Sequence, residues 1–188
     1  VDFFMKESGS GHSGFYLHNY KALLAKALEL KEDNRKVFLL GVSFALLELA
    51  EKFDVDLSHC QIMETGGMKG RRKEIIREEL HGFLQSRFKV GSILSEYGMT
   101  ELMSQAYSLE NGLYRCPSWM RVLVRDINDP FKSEPLGKAG GINIIDLANL
   151  YSCAFIETQD LGKVAQNGYF EILGRFDNSD IRGCNLLV

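Results

Sequence analysis

Val37-Phe38-Leu39-Leu40-Gly41-Val42 is the stretch on which the fold turns. Six residues with no charge and no alternating polar face predict a strand covered on both sides, as parallel sheets require. Ala45-Leu46-Leu47-Glu48-Leu49-Ala50 predicts the helix that follows it. Gln61-Ile62-Met63-Glu64-Thr65 predicts the next short strand, ending at Gly66-Gly67. Residues 69–88 predict a long helix with charges along one side and Ile75, Ile76, Leu80, Phe83 and Leu84 along the other. Ser92-Ile93-Leu94-Ser95-Glu96-Tyr97 predicts a further strand, broken at Gly98. Upstream, Asn19 is placed to cap a helix over 20–28, where Tyr20, Leu24, Ala27 and Leu28 share a face. Strands alternating with helices point to an α/β layer built on a mostly parallel sheet.

The texture changes after residue 105. Strands are predicted at 113–116, 120–125, 141–146, 153–158 and 169–173, with a short helix at 146–151. Turns at Asn111-Gly112, Asn128-Asp129-Pro130, Gly140-Gly141 and Asn167-Gly168 separate them. The expected fold class is therefore α/β: a mostly parallel sheet with flanking helices over 1–105, then a small antiparallel, β-barrel-like subdomain over 106–188.

Composition narrows the class of function. The 188 residues are 45% hydrophobic and 25% charged, with 22 basic and 25 acidic side chains and a net charge of -3. Such a chain can bury a large core, and its slight acidity argues against nucleic acid as a partner. The apolar run over 37–49 is interrupted by Gly41, Ser43 and Glu48, so no membrane span is expected. Cys60, Cys116, Cys153 and Cys184 are too widely spaced for a zinc knuckle or a redox pair, and reduced thiols in the cytoplasm are the simplest reading. His12, His18, His59 and His81 show no metal-ligand spacing, and His81 is expected on a solvated helix face. Trp119 and the 12 Phe are expected in the core. The start at Val1-Asp2-Phe3-Phe4, without Met, raises the expectation that an N-terminal part is missing.

Four clusters can carry chemistry, each at a strand–loop junction. Glu64-Thr65-Gly66-Gly67-Met68-Lys69-Gly70 lets backbone approach a flat ligand, or simply turns. Tyr97-Gly98-Met99-Thr100-Glu101 sets a hydroxyl beside a carboxylate, which suits phosphate and Mg²⁺, or equally the N-cap of a helix. Glu157-Thr158-Gln159-Asp160-Leu161-Gly162 offers an Asp at a strand end for a ribose diol, or an ordinary turn. Gly174-Arg175-Phe176-Asp177-Asn178 offers Arg175 to a ribose or phosphate oxygen, or is a charged surface loop. Ser8-Gly9-Ser10-Gly11-His12-Ser13-Gly14 lacks the Gly-Lys-Ser/Thr of a phosphate loop and is expected at the surface.

In this order the four clusters resemble the adenylate-forming superfamily of acyl-CoA ligases, luciferase-type ligases and peptide-synthetase adenylation domains. The likeness rests on Tyr-Gly-Met-Thr-Glu at 97–101 and on Thr158-Gln159-Asp160-Leu161-Gly162, with Gln159 where the family has Gly. It also rests on Gly174-Arg175-Phe176-Asp177 with Arg182-Gly183, and on Glu134-Pro135-Leu136-Gly137-Lys138-Ala139-Gly140. Ser13-Gly14-Phe15-Tyr16-Leu17, Gly66-Gly67-Met68-Lys69-Gly70, Ile145-Asp146-Leu147-Ala148-Asn149 and Ile181-Arg182-Gly183-Cys184-Asn185-Leu186 are similar to LuxE-type acyl-protein synthetases, which activate fatty acids for a luminescence reductase.

The resemblance implies a fragment of an adenylate-forming large domain that uses ATP and Mg²⁺. It implies that Gly66 and Gly67 line the adenine and acyl pocket, with Tyr97 and Gly98 beside the nucleotide. Thr100 would contact the α-phosphate and Glu101 would hold Mg²⁺. Asp160 would take the ribose hydroxyls with Arg175, and Asp177 or Asn178 would form a hinge. Cys184 would accept the acyl group, or CoA would take it instead. Implied partners are a carboxylic or fatty acid and an acyl-acceptor protein such as a reductase subunit. The family's Lys-bearing phosphate loop is absent, which fits a C-terminal half; the C-terminal lid lysine of larger ligases is absent too, as the early end of LuxE-type proteins would imply. The rival readings are a phenylacetate-type CoA ligase and a non-catalytic nucleotide- or acyl-binding subunit of a larger complex.

Overall fold

The computed structural model describes residues 1–68 and 75–176. In chain order these form α1 (Asp2–Glu7), α2 (Tyr20–Glu32), β1 (Val37–Val42), α3 (Ser43–Lys52), β2 (Cys60–Thr65), α4 (Arg77–Phe88), β3 (Ile93–Tyr97) and β4 (Ala106–Ser108). Then come β5 (Met120–Arg125), β6 (Gly140–Asp146), a 3-10 turn (Leu147–Asn149), β7 (Phe155–Val164) and β8 (Phe170–Arg175). One sheet has the order β1-β2-β3-β4, the other β5-β6-β7-β8. The pairs β1–β2 and β2–β3 are parallel, and β4 is antiparallel to β3. The second sheet is antiparallel throughout and curls into a half-barrel, shifting register between Gly141 and Asn143 and again between Leu161 and Gly162. The expected α/β sheet followed by a barrel-like β subdomain is what the structure has.

Two cores follow from the apolar patterns. Leu24, Ala27, Leu46, Leu49, Leu80, Leu84 and Phe88 bring the helices down on Ile62 and Ile93 of the first sheet. The second core joins the sheets: Tyr97 and Ala106 from the first meet Val122, Val124, Ile142, Ile144 and Phe170 from the second. Tyr114 stacks on Phe170 with centroids 5.4 Å apart, and Tyr97 packs edge-on to Phe170 at 5.6 Å. Among the described residues no helix is long and apolar enough to cross a membrane.

Several local expectations change. The predicted helix over 69–88 begins at Arg77, with 69–74 outside the described residues. Its buried residues are Leu80, Leu84 and Phe88, spaced by four, so Ile76 and Phe83 rotate off the core face. Leu28 is likewise exposed and Leu30 is buried in its place. Residues 113–116 form only single bridges, Tyr107 to Arg115 and Tyr114 to Phe170. Gly140-Gly141 is not a turn but the start of β6, and the reason is close approach. A Cβ on Gly140 would lie 2.2 Å from the Arg125 carbonyl oxygen, and one on Gly141 2.5 Å from the Arg125 guanidinium. That guanidinium is buried and donates to the Ile142 and Thr158 carbonyls and to Asn143 Oδ1. Trp119 is half-exposed rather than in the core.

His81 does not face solvent. Its Nε2 lies 3.3 Å from Ser95 Oγ and 3.7 Å from Glu64 Oε1. Glu64 is buried in β2, accepts a 2.6 Å bond from Ser43 Oγ of α3 and has Arg77 Nε of α4 at 3.8 Å. Burial alone would raise its pKa, but the His81, Ser43 and Ser95 hydrogen bonds and the Arg77 charge outweigh it and hold the carboxyl below 4.5. Because the folded pKa lies below the unfolded one, this carboxylate stabilises the fold above pH 4.5, and the contribution is lost as pH falls through the folded value. Glu64→Gln should therefore cost about 1–3 kcal/mol at pH 7. The gap to the parent in urea denaturation should narrow in acid; a gap that stays constant to pH 3 contradicts this account.

Candidate functional site

Parallel β1, β2 and β3 end along one edge, the place where open α/β sheets form ligand sites. At the end of β2, Thr65 sits opposite Glu96 and donates a 2.8 Å hydrogen bond from Oγ1 to Glu96 Oε1. Gly66 follows with φ +71°, a left-handed value that favours glycine, and its carbonyl accepts from Ser43 Oγ at 3.0 Å. Gly66 is exposed and Gly67 half-buried. These paired glycines therefore sit one strand away from Tyr97 and Gly98.

At the end of β3 the two sheets meet. The buried Tyr97 hydroxyl donates to Asp160 Oδ2 at 2.7 Å, and Arg175 Nε stands 3.5 Å from Asp160 Oδ1. Burial first, and then the Asp160 charge, push the Tyr97 pKa far up, so its hydroxyl keeps the proton it donates. Thr158, also buried, accepts from the Asp160 amide at 3.1 Å and donates to the Ile142 carbonyl at 2.9 Å. Asp160 does not end a strand as expected. It lies inside β7, opposite Arg175 of β8, because the irregularity at Leu161 and Gly162 bends the strand instead of stopping it. Its side chain is 16% exposed, and that of Arg175 is 44% exposed.

Beyond Gly98, Thr100 and Glu101 form a turn with both residues exposed. No helix begins there, so the helix-capping alternative falls. Asn149 Nδ2 donates to the Glu101 carbonyl at 2.8 Å, and Asp146 lies fully buried beneath the turn. The structure thus brings Tyr97, Asp160 and Arg175 into one contact group, with Gly98 next to Tyr97 in the chain and packed toward Gln105. Gly66 and Gly67 flank it along the sheet edge, and Thr100 and Glu101 lie on the next turn. Cys184, Asp177 and Asn178 lie outside the described residues.

Sequence reasoning missed the roles of Asp146, Asn149, Glu64 and Arg77. The signal was there for two of them: a single carboxylate inside an otherwise apolar strand, as in Ile62-Met63-Glu64 and Ile144-Ile145-Asp146, needs a partner to be buried. Among the described residues no group of three or more His, Cys, Asp or Glu gathers as a metal cage. The exposed Glu101 carboxylate is the kind of donor Mg²⁺ uses, since that ion takes one or two carboxylates and completes its shell with water and phosphate oxygens. Burial pushes the Cys60 and Cys116 thiols up to about 11, so neither is a ready thiolate at neutral pH.

The sequence matches no protein-family model and no curated protein. Solved structures do match. ATP-bound MatB from Rhodopseudomonas palustris superposes with a TM-score of 0.61 at 19% identity, over 83% of this chain and 33% of that one. The O-succinylbenzoate coenzyme A synthetase MenE from Bacillus subtilis, in complex with ATP and magnesium, gives 0.54 at 18% identity, over 85% of this chain and 36% of that one. The anthranilate CoA ligase AuaEII, in complex with anthranoyl-AMP, gives 0.51 at 15% identity, over 74% and 29%. These neighbours are adenylate-forming acyl-CoA ligases and synthetases, and the chain spans 29% to 36% of their lengths. The likeness is one of fold: this chain has the architecture of a part of an adenylate-forming ligase.

Proposed function

We propose that the protein activates a carboxylic acid, of the fatty-acid class, as its acyl-adenylate and then passes the acyl group to a thiol. The observation that carries this reading is the Tyr97–Asp160–Arg175 contact, which fixes a carboxylate at the end of β3, where the chain runs on into the exposed Thr100–Glu101 turn. The neighbours support it, since MatB is ATP-bound, MenE holds ATP and magnesium, and AuaEII holds an acyl-AMP.

In this reading Tyr97 and Arg175 hold the two oxygens of Asp160, fixing its rotamer for the ribose diol. Gly66 and Gly67 let the adenine and acyl group lie against backbone. Thr100 faces the α-phosphate, and Glu101 holds Mg²⁺, which when bound neutralises charge on the phosphates. An oxygen of the acid attacks the α-phosphorus as the bond to pyrophosphate breaks, and pyrophosphate leaves with that electron pair. Positioning and charge neutralisation carry such a step. A thiolate then attacks the acyl carbon and AMP leaves. In a LuxE-type acyl-protein synthetase the acceptor would be Cys184, as the resemblance implies, and the acyl group would pass on to a protein such as a reductase subunit. CoA takes that place in a CoA ligase.

Acid-dependent ATP–pyrophosphate exchange on the protein at its natural length tests the first step. Exchange should require one class of acid and fall at least about 100-fold in Glu101→Gln. Exchange untouched by that change, or absent with every acid, overturns the proposal. Asp160→Asn, which keeps an acceptor for the Tyr97 hydroxyl, should weaken binding of a non-hydrolysable acyl-adenylate mimic about tenfold or more, the loss of a charged hydrogen bond, while the melting temperature moves little. Equal loss of binding and fold removes the assigned role. With a labelled long-chain acid, Cys184→Ala should abolish covalent labelling of the protein yet leave exchange intact. Persistent labelling excludes Cys184 as acceptor, and CoA-dependent product without labelling favours the CoA ligase.

A further inference from the structure

We propose that Asp146 and Asn149 are positioning residues that clamp the Thr100–Glu101 turn from the second sheet. The proposal rests on the reading of Glu101 as the metal-holding carboxylate. Asp146 ends β6 and is 0% exposed. Its Oδ2 accepts from the Met103 amide at 3.0 Å and the Ser104 amide at 2.9 Å. Its Oδ1 accepts from Ser104 Oγ at 2.7 Å and from the Ala148 amide at 3.1 Å. Three residues on, buried Asn149 donates from Nδ2 to the Glu101 carbonyl at 2.8 Å and to the Cys153 carbonyl at 2.9 Å. The Leu102 side chain is buried in the second core between these grips.

The backbone is thus held at 101, 103 and 104 while the Thr100 and Glu101 residues stay exposed. A carboxylate buried this deeply is costly unless hydrogen bonds satisfy it. Here three of its four donors come from the segment just after Glu101. An apolar residue at 146 would fill the same space but would leave the Met103 and Ser104 amides buried or half-buried without an acceptor. The arrangement therefore fixes where the turn points, and does so from a strand paired on both edges, by β5 and β7. Outer residues of this kind control a metal ligand without touching the metal.

The chain supplies its own reporter. Its single tryptophan, Trp119, donates from Nε1 to Ser104 Oγ at 2.9 Å. In Asp146→Asn, amide exchange of the segment 98–105 should rise at least tenfold with the segments 60–65 and 93–97 unchanged, and Trp119 emission should shift. In the pyrophosphate-exchange assay the Mg²⁺ concentration for half-maximal rate should rise roughly tenfold, with binding of the adenylate mimic at Asp160 unchanged. Asn149→Ala, which leaves the buried carboxylate satisfied, should show the same metal shift and serves if Asp146→Asn fails to fold. Unaltered exchange at 98–105 in both variants overturns the clamp. A loosened turn with parental Mg²⁺ dependence, while Glu101→Gln shifts that dependence, also overturns it and leaves a purely structural role. Parental Mg²⁺ dependence in Glu101→Gln itself overturns the reading of Glu101, and the proposal with it.

Discussion

The hydrogen bond from Tyr97 to Asp160 closes the junction between the two sheets. Among the described residues, backbone pairing from one sheet to the other runs only through the single bridges at Tyr107–Arg115 and Tyr114–Phe170. The remaining cohesion comes from side chains. The Tyr97, Tyr114 and Phe170 rings fill the space between the sheets, and aromatic contacts of this kind contribute roughly 0.5–1.5 kcal/mol each beyond the area they bury. Rings pack in many offsets; a hydroxyl at 2.7 Å from one carboxylate oxygen does not. The polar contact thus sets the register that the aromatic packing stabilises, and it delivers Asp160 and Arg175 to the edge where β2 and β3 end.

Polar groups inside this molecule repeat that division of labour. Arg77 reaches from α4 across the boundary: its guanidinium lies 5.1 Å over the Tyr114 ring, its Nη1 donates to the Ile172 carbonyl at 3.4 Å, and its Nε faces Glu64 at 3.8 Å. Arg125 pins β5 to β6 and β7 through three acceptors. Asp146 grips the turn after β3. Each buried charge is satisfied by groups from a different element, so each fixes an orientation that apolar packing would leave loose. The cost of burying them is offset only when every partner is in place. Side chains lining the candidate site are consequently held from behind, while Thr100, Glu101 and Gly66 are left exposed.

Periodicity and residue type by themselves determined the alternation of helix and strand from α2 to β3, the parallel sheet and the antiparallel half that follows, but not α1 or the short β4. Val37–Val42 has no polar face, which marked it as a strand of a parallel sheet, but it is the edge strand: Phe38 is exposed and no residue of it is fully buried, so the expected cover on both sides is not there. The motif residues around Tyr97 and Asp160 were legible for a similar reason: a hydroxyl, a carboxylate and glycines clustered at strand ends carry a local signal. Tertiary structure decided what no local window contains. The face of α4 depended on which of its apolar residues met Ile62 and Ile93, so Phe88 entered the core and Phe83 did not. His81 looked solvated because its sequence neighbours are charged, yet Glu64 and Ser95 come to it from other strands. Gly140 and Gly141 looked like a turn because the Arg125 they accommodate lies 15 and 16 positions away. Asn149 and Glu101 are 48 positions apart in the chain and are joined only where two sheets pack together. Hydrogen bonds over such separations depend on the folded path of the backbone, and that path follows from burial of the whole chain.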